Sequence, residues 1–126
     1  MAKVSVIVPN YNHKPYLKKR LDAIFGQTFQ DFEVILLDDA STDGSPVLLK
    51  NYKNHPKVFH LVINENNSKS PFKQWQKGIA LAKGEYIWIA ESDDYCQLHF
   101  LERLLAQMDK HTGICYAQTI DVDENG

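Results

Sequence analysis

The sequence predicts an α/β fold, a three-layer α/β/α sandwich built on a mostly parallel sheet. Two observations carry this prediction: β-branched runs alternate with helical patterns, and turn residues separate them throughout the 126-residue chain. Strands joined through helices form right-handed crossovers, which make neighbouring strands parallel and cover both faces of the sheet. Because this length fits one compact domain, we expect a single domain over residues 1–126.

The first half of the chain contains three predicted strands and two helices. Residues 4–8 are mostly β-branched, which is typical of a buried strand. Pro15 follows in the first turn of a helix whose apolar residues recur at helical spacing and which ends at Gly26. The remaining elements of this half are a strand, a short helix and a strand, at residues 34–37, 46–52 and 58–63.

The second half continues the alternation. A third helix begins near Pro71 and stops before Gly84. Its apolar face is predicted to carry Phe72, Trp75, Ile79 and Ala82. A strand at 86–90 and a fifth strand at 114–117 flank a fourth helix. That helix carries Leu98, Leu101, Leu105 and Met108.

Composition and charge exclude several functional classes. The chain has 14 Lys and Arg against 16 Asp and Glu, with no basic block, so we expect no nucleic-acid partner. No apolar run approaches the ~20 residues of a membrane helix, and no signal peptide is recognisable. Cys96 and Cys115 are too few for a disulfide framework or a four-ligand zinc site. We expect a cytoplasmic protein with no integral membrane segment.

Acidic residues follow two of the predicted strands. Asp38 and Asp39 end the second strand, and Glu91, Asp93 and Asp94 follow the fourth. The carboxyl ends of parallel strands share one edge, where carboxylates repel one another unless a ligand or a hard divalent cation offsets the charge. Alternatively, these residues only cap a turn and a helix. The chain lacks the glycine-rich dinucleotide and P-loop motifs, so a carboxylate-bound metal is the expected holder of any phosphate.

Four motifs occur in order along the chain. They are VSVIVPNYN at 4–12, FEVILLDDASTD at 32–43, KGIALAKGEYI at 77–87 and ESDD at 91–94. Together with Gln27 and Thr28, they resemble the start of family 2 glycosyltransferases of the GT-A fold, and the resemblance covers nearly the whole chain. It implies that the chain is the Rossmann-like, nucleotide-sugar-binding half of a GT-A fold.

The resemblance also implies roles for residues around the nucleotide. Pro9 and Tyr11 flank the base, and Asp39 accepts a hydrogen bond from it, which favours uracil or thymine. Lys73 and Lys77 lie on the segment that commonly faces the nucleotide, where either neutralises a phosphate.

A metal site is implied at the ESDD motif. Asp93 contacts the ribose or the metal, and Asp94 and Glu91 complete the surroundings of Mn²⁺ or Mg²⁺. Two residues depart from the family pattern: Glu91 stands where an aspartate is usual, and Gln76 where an asparagine is common.

The implied reaction transfers a sugar from a nucleotide-diphosphate sugar to an acceptor hydroxyl with inversion, and the base preference implied at Asp39 favours a UDP-sugar as the donor. The acceptor is a saccharide or a lipid-linked saccharide, in polysaccharide or cell-surface glycan synthesis at the inner face of the membrane. Inversion needs a carboxylate base, which we expect beyond Gly126, so the chain alone is expected to bind donor and transfer little sugar. Two alternatives are a non-catalytic nucleotide-binding module and a sugar-1-phosphate nucleotidyltransferase, whose usual glycine-rich signature is absent after the first strand.

Overall fold

The computed structural model describes residues 2–92 and 96–106 of the chain. Four strands lie in this part: β1 (Val4–Asn10), β2 (Phe32–Asp38), β3 (Val58–Ile63) and β4 (Tyr86–Ile89). They form one sheet in the order β3-β2-β1-β4, and every neighbouring pair is parallel. The predicted α/β fold with a parallel sheet is therefore confirmed. The predicted fifth strand at 114–117 lies outside the described residues.

Four helices connect or follow these strands: α1 (Lys14–Phe25), α2 (Ser45–Lys50), α3 (Pro71–Leu81) and α4 (Phe100–Ala106). The first three each carry a proline at the first or second position, where the missing N–H costs nothing. The prediction that Leu98 belongs to the fourth helix is wrong. Its carbonyl instead accepts a hydrogen bond from the Thr28 N–H, before the helix begins. In the described part of the chain, no helix has the length and apolarity to cross a membrane.

The two faces of the sheet are covered unequally. On one face, alternate residues of β1 and β2 pack against α1 in a large core, whose helical members include Leu17, Leu21 and Ile24. On the other face, Ile7, Ile35 and Leu37 form a smaller core. Helix α3 covers this second face. Both central strands are wholly buried, so polar residues become accessible only beyond the strand ends.

The predicted apolar face of α3 is wrong for two of its residues. Phe72 and Ile79 are 65% and 46% exposed, whereas Gln74 and Gly78 are buried. A Cβ added to Gly78 would lie 2.5 Å from Cγ2 of Ile7, so the helix backbone rests directly on the sheet at this glycine. This close approach fixes which side of α3 faces the sheet, and it turns Phe72 outward. The predicted packing of Ala82 against the sheet is correct.

Candidate functional site

The carboxyl ends of β1, β2 and β3 meet at one edge of the sheet. Asn10 is paired in register with Asp38, and Asp38 with Ile63. Asp39 and Asn64 come next in the chain, and the Asn64 N–H donates to the Asp38 carbonyl at 2.9 Å. Two of the predicted acidic residues therefore lie at this edge beside the end of β3.

Asp38 is engaged in supporting the turn after β2. Its Oδ1 accepts hydrogen bonds from Asn10 Nδ2 at 2.9 Å and from Ser41 Oγ at 2.7 Å, and its Oδ2 accepts one from the Ser41 N–H at 2.8 Å. The side chain is fully buried. The alternative interpretation, in which the acidic residues after the second strand only cap a turn, therefore fits Asp38.

Asp39 lies at the centre of a second hydrogen-bond cluster. Its Oδ1 accepts from Asn64 Nδ2 at 2.9 Å and from the Ser68 N–H at 2.8 Å, and its Oδ2 accepts from Ser68 Oγ at 2.7 Å. Burial tends to raise the pKa of Asp39, but the Ser68 and Asn64 hydrogen bonds and the charge of Lys77 outweigh it and lower the pKa. A carboxylate offers about four lone-pair positions, so these three bonds leave one on Oδ2.

The two predicted phosphate lysines differ in their surroundings. Lys77 is half-buried, and its Nζ donates to Asn64 Oδ1 at 2.6 Å, which brings the ammonium group into the Asp39 cluster. Lys73 is exposed in the first turn of α3, where its N–H donates to the capping Ser70 Oγ. The structure therefore joins Lys77, but not Lys73, to Asp39.

Pro9 and Tyr11 lie on either side of the end of β1. Pro9 is buried within the strand, opposite Leu37, and Tyr11 is 45% exposed just beyond it. Asn12 fixes this loop against the turn after β2, since its N–H donates to Ser41 Oγ at 2.9 Å and its Oδ1 accepts from the Thr42 N–H at 2.8 Å. The accessible ring of Tyr11 is thereby held at the same edge as Asp39, and the base-flanking role of both residues stays a prediction.

The segment after β4 reaches the same edge. The Ala90 N–H donates to the Ile7 carbonyl at 2.7 Å, and Glu91 follows, its Oε1 accepting a hydrogen bond from Trp75 Nε1 at 3.0 Å. Ser92 is fully buried, and its Oγ lies 3.0 Å from His13 Nδ1.

The predicted metal residues are only partly within the described structure. Glu91 is described, whereas Asp93 and Asp94 lie outside the described residues. Within residues 2–92 and 96–106, no group of three or more His, Cys, Asp or Glu side chains is arranged to hold a metal ion.

Sequence reasoning missed three polar residues of this edge. Asn64 and Ser68 belong to a stretch recognised only as a polar loop, although the position of Asn64 directly after a strand was an available signal. The spacing of His13 relative to the other histidines indicated no role for it. Its contact with Ser92 spans 79 positions of the chain, so no local pattern could have revealed it.

Comparison with known proteins identifies the family. A sequence model described as glycosyl transferase family 2 matches residues 5–126. The chain belongs to this family. The resemblance of its four motifs to family 2 glycosyltransferases is therefore confirmed.

Curated relatives of the chain include two bacterial glycosyltransferases. Glycosyltransferase GlyG of Streptococcus pneumoniae is 34% identical over 97% of this chain and 40% of its own length. The poly(ribitol-phosphate) beta-N-acetylglucosaminyltransferase TarS of Staphylococcus aureus is 36% identical over 88% of this chain and 20% of its own length. The chain therefore spans less than half the length of either relative.

Solved structures share the fold. The structure of S. aureus TarS 1-349 in complex with UDP-GlcNAc superposes with a TM-score of 0.73 at 36% identity, covering 82% of this chain and 30% of that one. The mannosyltransferase PcManGT of Pyrobaculum calidifontis, in complex with GDP-Man and Mn²⁺, gives a TM-score of 0.66 at 30% identity over 75% of this chain and 28% of that one. These matches confirm the predicted Rossmann-like GT-A fold.

Proposed function

We propose that this chain forms the donor-binding part of an inverting glycosyltransferase that takes a sugar from a UDP-sugar to an acceptor hydroxyl. The acceptor is a saccharide or a lipid-linked saccharide, in the synthesis of a polysaccharide or cell-surface glycan. Mn²⁺ or Mg²⁺ is the proposed cofactor. The observation that carries the proposal is the Asp39 carboxylate, charged and rigidly held at the carboxyl edge of the sheet with one acceptor position left.

Recognition of the base follows from the chemistry of Asp39. Uracil presents one ring N–H donor between two carbonyl acceptors, and a carboxylate is acceptor-only when ionised. The lowered pKa of Asp39 keeps it ionised at neutral pH, and Oδ2 has an acceptor position beyond its bond from Ser68. Tyr11 and Pro9 are proposed to flank the ring. The TarS structure in complex with UDP is consistent with this assignment.

Charge complementarity supports a diphosphate next to the base. Lys77 lies in the Asp39 cluster, within hydrogen-bond distance of Asn64. Lys73, exposed one turn earlier on α3, is the second proposed phosphate partner.

The donor set of the ESDD motif fits a hard divalent cation, since all three acidic side chains offer carboxylate oxygens. Glu91, the described member, lies at the sheet edge with one oxygen oriented by the Trp75 indole N–H, as outer-shell partners commonly orient metal ligands. Asp93 and Asp94 are the other proposed ligands, and Asp93 is also a proposed partner of the ribose. A bound cation would act as a Lewis acid for the leaving diphosphate. The Mn²⁺ in the PcManGT complex is consistent with this cofactor.

Binding of nucleotides to the chain tests the proposal. We expect UDP with Mn²⁺ to raise the melting temperature, while CDP with Mn²⁺ and UDP with excess chelator raise it much less. Ligand at a hundred times its Kd adds about 2.7 kcal/mol, which for a domain of this size is a shift of roughly 10 °C. An unchanged melting temperature with UDP and Mn²⁺ would overturn the proposal. Inversion is tested separately, in a protein that includes the base proposed beyond Gly126, by NMR assignment of the anomeric configuration of donor and product.

A further inference from the structure

Two oppositely charged side chains of the candidate site are bridged by one neutral amide, that of Asn64. Its Nδ2 donates to Asp39 Oδ1 at 2.9 Å, and its Oδ1 accepts from Lys77 Nζ at 2.6 Å. Each charged group thus meets the end of the amide that suits it, because a carboxylate only accepts hydrogen bonds and an ammonium group only donates them. Asn64 therefore lies between the carboxylate and the ammonium group.

The two charged groups do not pair directly. Among the described residues, Lys77 Nζ is hydrogen-bonded to Asn64 and forms no salt bridge with Asp39. Burial raises the pKa of Asp39, but hydrogen bonds from Ser68 and Asn64 and the charge of Lys77 together lower it. The charge of Lys77 thus acts on the carboxylate without occupying either of its oxygens.

The orientation of the Asn64 amide is fixed by helix α3 and by the sheet. Oε1 of Gln74, a side chain that is only 3% exposed, accepts a second hydrogen bond from Asn64 Nδ2 at 3.1 Å. The Asn64 N–H donates to the Asp38 carbonyl at 2.9 Å, which continues the pairing of β3 with β2. An inverted amide would point its oxygen at two acceptors, those of Asp39 and Gln74, so the nitrogen is held toward the carboxylate.

A direct ion pair between Lys77 and Asp39 would use the groups that the nucleotide is proposed to need. Charge-assisted hydrogen bonds are about twice as strong as neutral ones, so an ammonium group within reach of a carboxylate pairs with it. The four-carbon stem of a lysine is flexible, and one amide links the two groups here. A direct pair would occupy the acceptor position left on Asp39 Oδ2 and would neutralise the charge that Lys77 offers to a diphosphate.

We propose that Asn64 is a positioning residue that keeps Asp39 and Lys77 apart, so that the carboxylate stays open to the base and the ammonium group to the diphosphate. This inference rests on the proposed function, because that function assigns the base to Asp39 and the diphosphate to Lys77. Asn64 itself is not proposed to touch the nucleotide. Gln74 supports Asn64 by holding its amide in the required orientation.

The pKa of Asp39 in the ligand-free full chain tests the separation of the two charges. In Asn64→Ala, loss of a hydrogen bond would by itself raise this pKa, because hydrogen bonds to the charged form lower it. A direct pair with Lys77 acts in the opposite direction. We therefore expect the pKa of Asp39, followed by NMR of its carboxyl carbon, to fall in Asn64→Ala and to rise when Lys77→Met is added. A rise in the single variant would overturn the proposal.

Binding of uridine measures whether the acceptor position on Asp39 is open. Uridine has no phosphate, so its binding needs neither a metal ion nor the charge of Lys77. We expect the Kd for uridine to rise about 10-fold or more in Asn64→Ala, the loss typical of a hydrogen bond to a charged group. Adding Lys77→Met should lower that Kd again by about 3-fold or more, because the competing ammonium group is gone and contacting residues are coupled. A residue that only supported the fold would show no such rescue.

Asn67→Ala is the matched control. Asn67 belongs to the same loop, but its Nδ2 donates to the main-chain carbonyl of Asp39 and its Oδ1 accepts from the Lys69 N–H. Adding Lys77→Met to this variant should leave its affinity for uridine unchanged. Asn64→Ser gives a second comparison that does not depend on Asn64→Ala, because its hydroxyl group keeps the position polar but is too short to bridge both charged groups. We expect the same fall in the pKa of Asp39 and the same rescue.

The outcomes separate this inference from the proposed function. Wild-type affinity for uridine in both Asn64→Ala and Asn64→Ser would overturn the inference alone. A loss that Lys77→Met deepens would also overturn it, since Asn64 would then be supporting the fold. A wild-type chain that binds neither uridine nor UDP would overturn the proposed function, and this inference with it, whatever the pKa of Asp39.

Discussion

Replacing Asp39 by asparagine tests the assignment of the base site with little disturbance of the fold. The amide oxygen can keep the two hydrogen bonds that Oδ1 accepts, from Asn64 Nδ2 and from the Ser68 N–H. The new amide nitrogen takes the place of Oδ2 and donates to Ser68 Oγ, whose own hydrogen already has the Ser70 carbonyl at 3.0 Å as a second acceptor. The local cluster can thus rearrange without leaving a buried donor unpaired.

The effect on nucleotide binding is expected to be much larger than the effect on stability. In Asp39→Asn, the ring N–H of uracil faces an N–H donor in place of a charged acceptor. A hydrogen bond to a charged group contributes about 1.5–3 kcal/mol, so the Kd for UDP should rise about 10- to 150-fold. Cytosine has an acceptor at the same ring position, so CDP should bind the variant more tightly than it binds wild type.

Calorimetric titration of UDP and CDP into both proteins, with Mn²⁺ present, measures this change in preference. Asp22→Asn is the matched control, because it removes the same charge from an exposed i,i+4 pair with Lys18 on α1. The control should bind UDP as wild type does. Equal losses for UDP and CDP in Asp39→Asn, or no loss for UDP, would refute the role given to this carboxylate.

Three further predictions concern groups around the site. The pKa of Asp39 is lowered in the fold, so its stabilising effect is present above pH about 4 and is lost as the pH falls through the folded-state pKa. Ser68→Ala should therefore unfold more easily in urea by about 1 kcal/mol at pH 7, with a smaller difference at pH 2; a pH-independent difference would count against this linkage. Gly78→Ala should destabilise the fold by about 1–3 kcal/mol in thermal denaturation, because its Cβ meets Ile7, and wild-type stability would contradict the close approach. Lys77→Met should weaken binding of UDP more than binding of uridine, and equal losses for the two ligands would argue against a phosphate partner.

The strands and the starts of the first three helices were predictable because their signals are local. β-branched runs mark β1, β2 and β3, and prolines open α1, α2 and α3 within a residue or two of the predicted positions. Such signals depend on the backbone preferences of neighbouring residues, and tertiary packing reinforces them here.

The inward face of α3 was not predictable by hydrophobic spacing. The helix contains apolar residues on more than one side, and the contact between Gly78 and Ile7 decides which side is buried. These two residues are far apart in the sequence, and a glycine adds nothing to a hydrophobic pattern.

The sequence predicted that Asp38 and Asp39 lie at the candidate site, but it did not predict that the two residues have different roles. Asp38 and Asp39 are adjacent and chemically identical, yet one supports the turn through Ser41 while the other accepts bonds from Asn64 and Ser68. Which carboxylate faces which loop depends on the register of β2 against β1 and β3, a property of the assembled sheet.

The central claim is that UDP and a divalent cation bind together at the carboxyl edge of the sheet. A crystal structure of the chain with UDP and Mn²⁺, with the metal located by its anomalous signal, tests this most directly. We predict uracil against Asp39 and Tyr11, and the Mn²⁺ peak between the diphosphate and the ESDD segment. Nucleotide bound away from Asp39, or a metal peak with no contact to residues 91–94, would contradict the account.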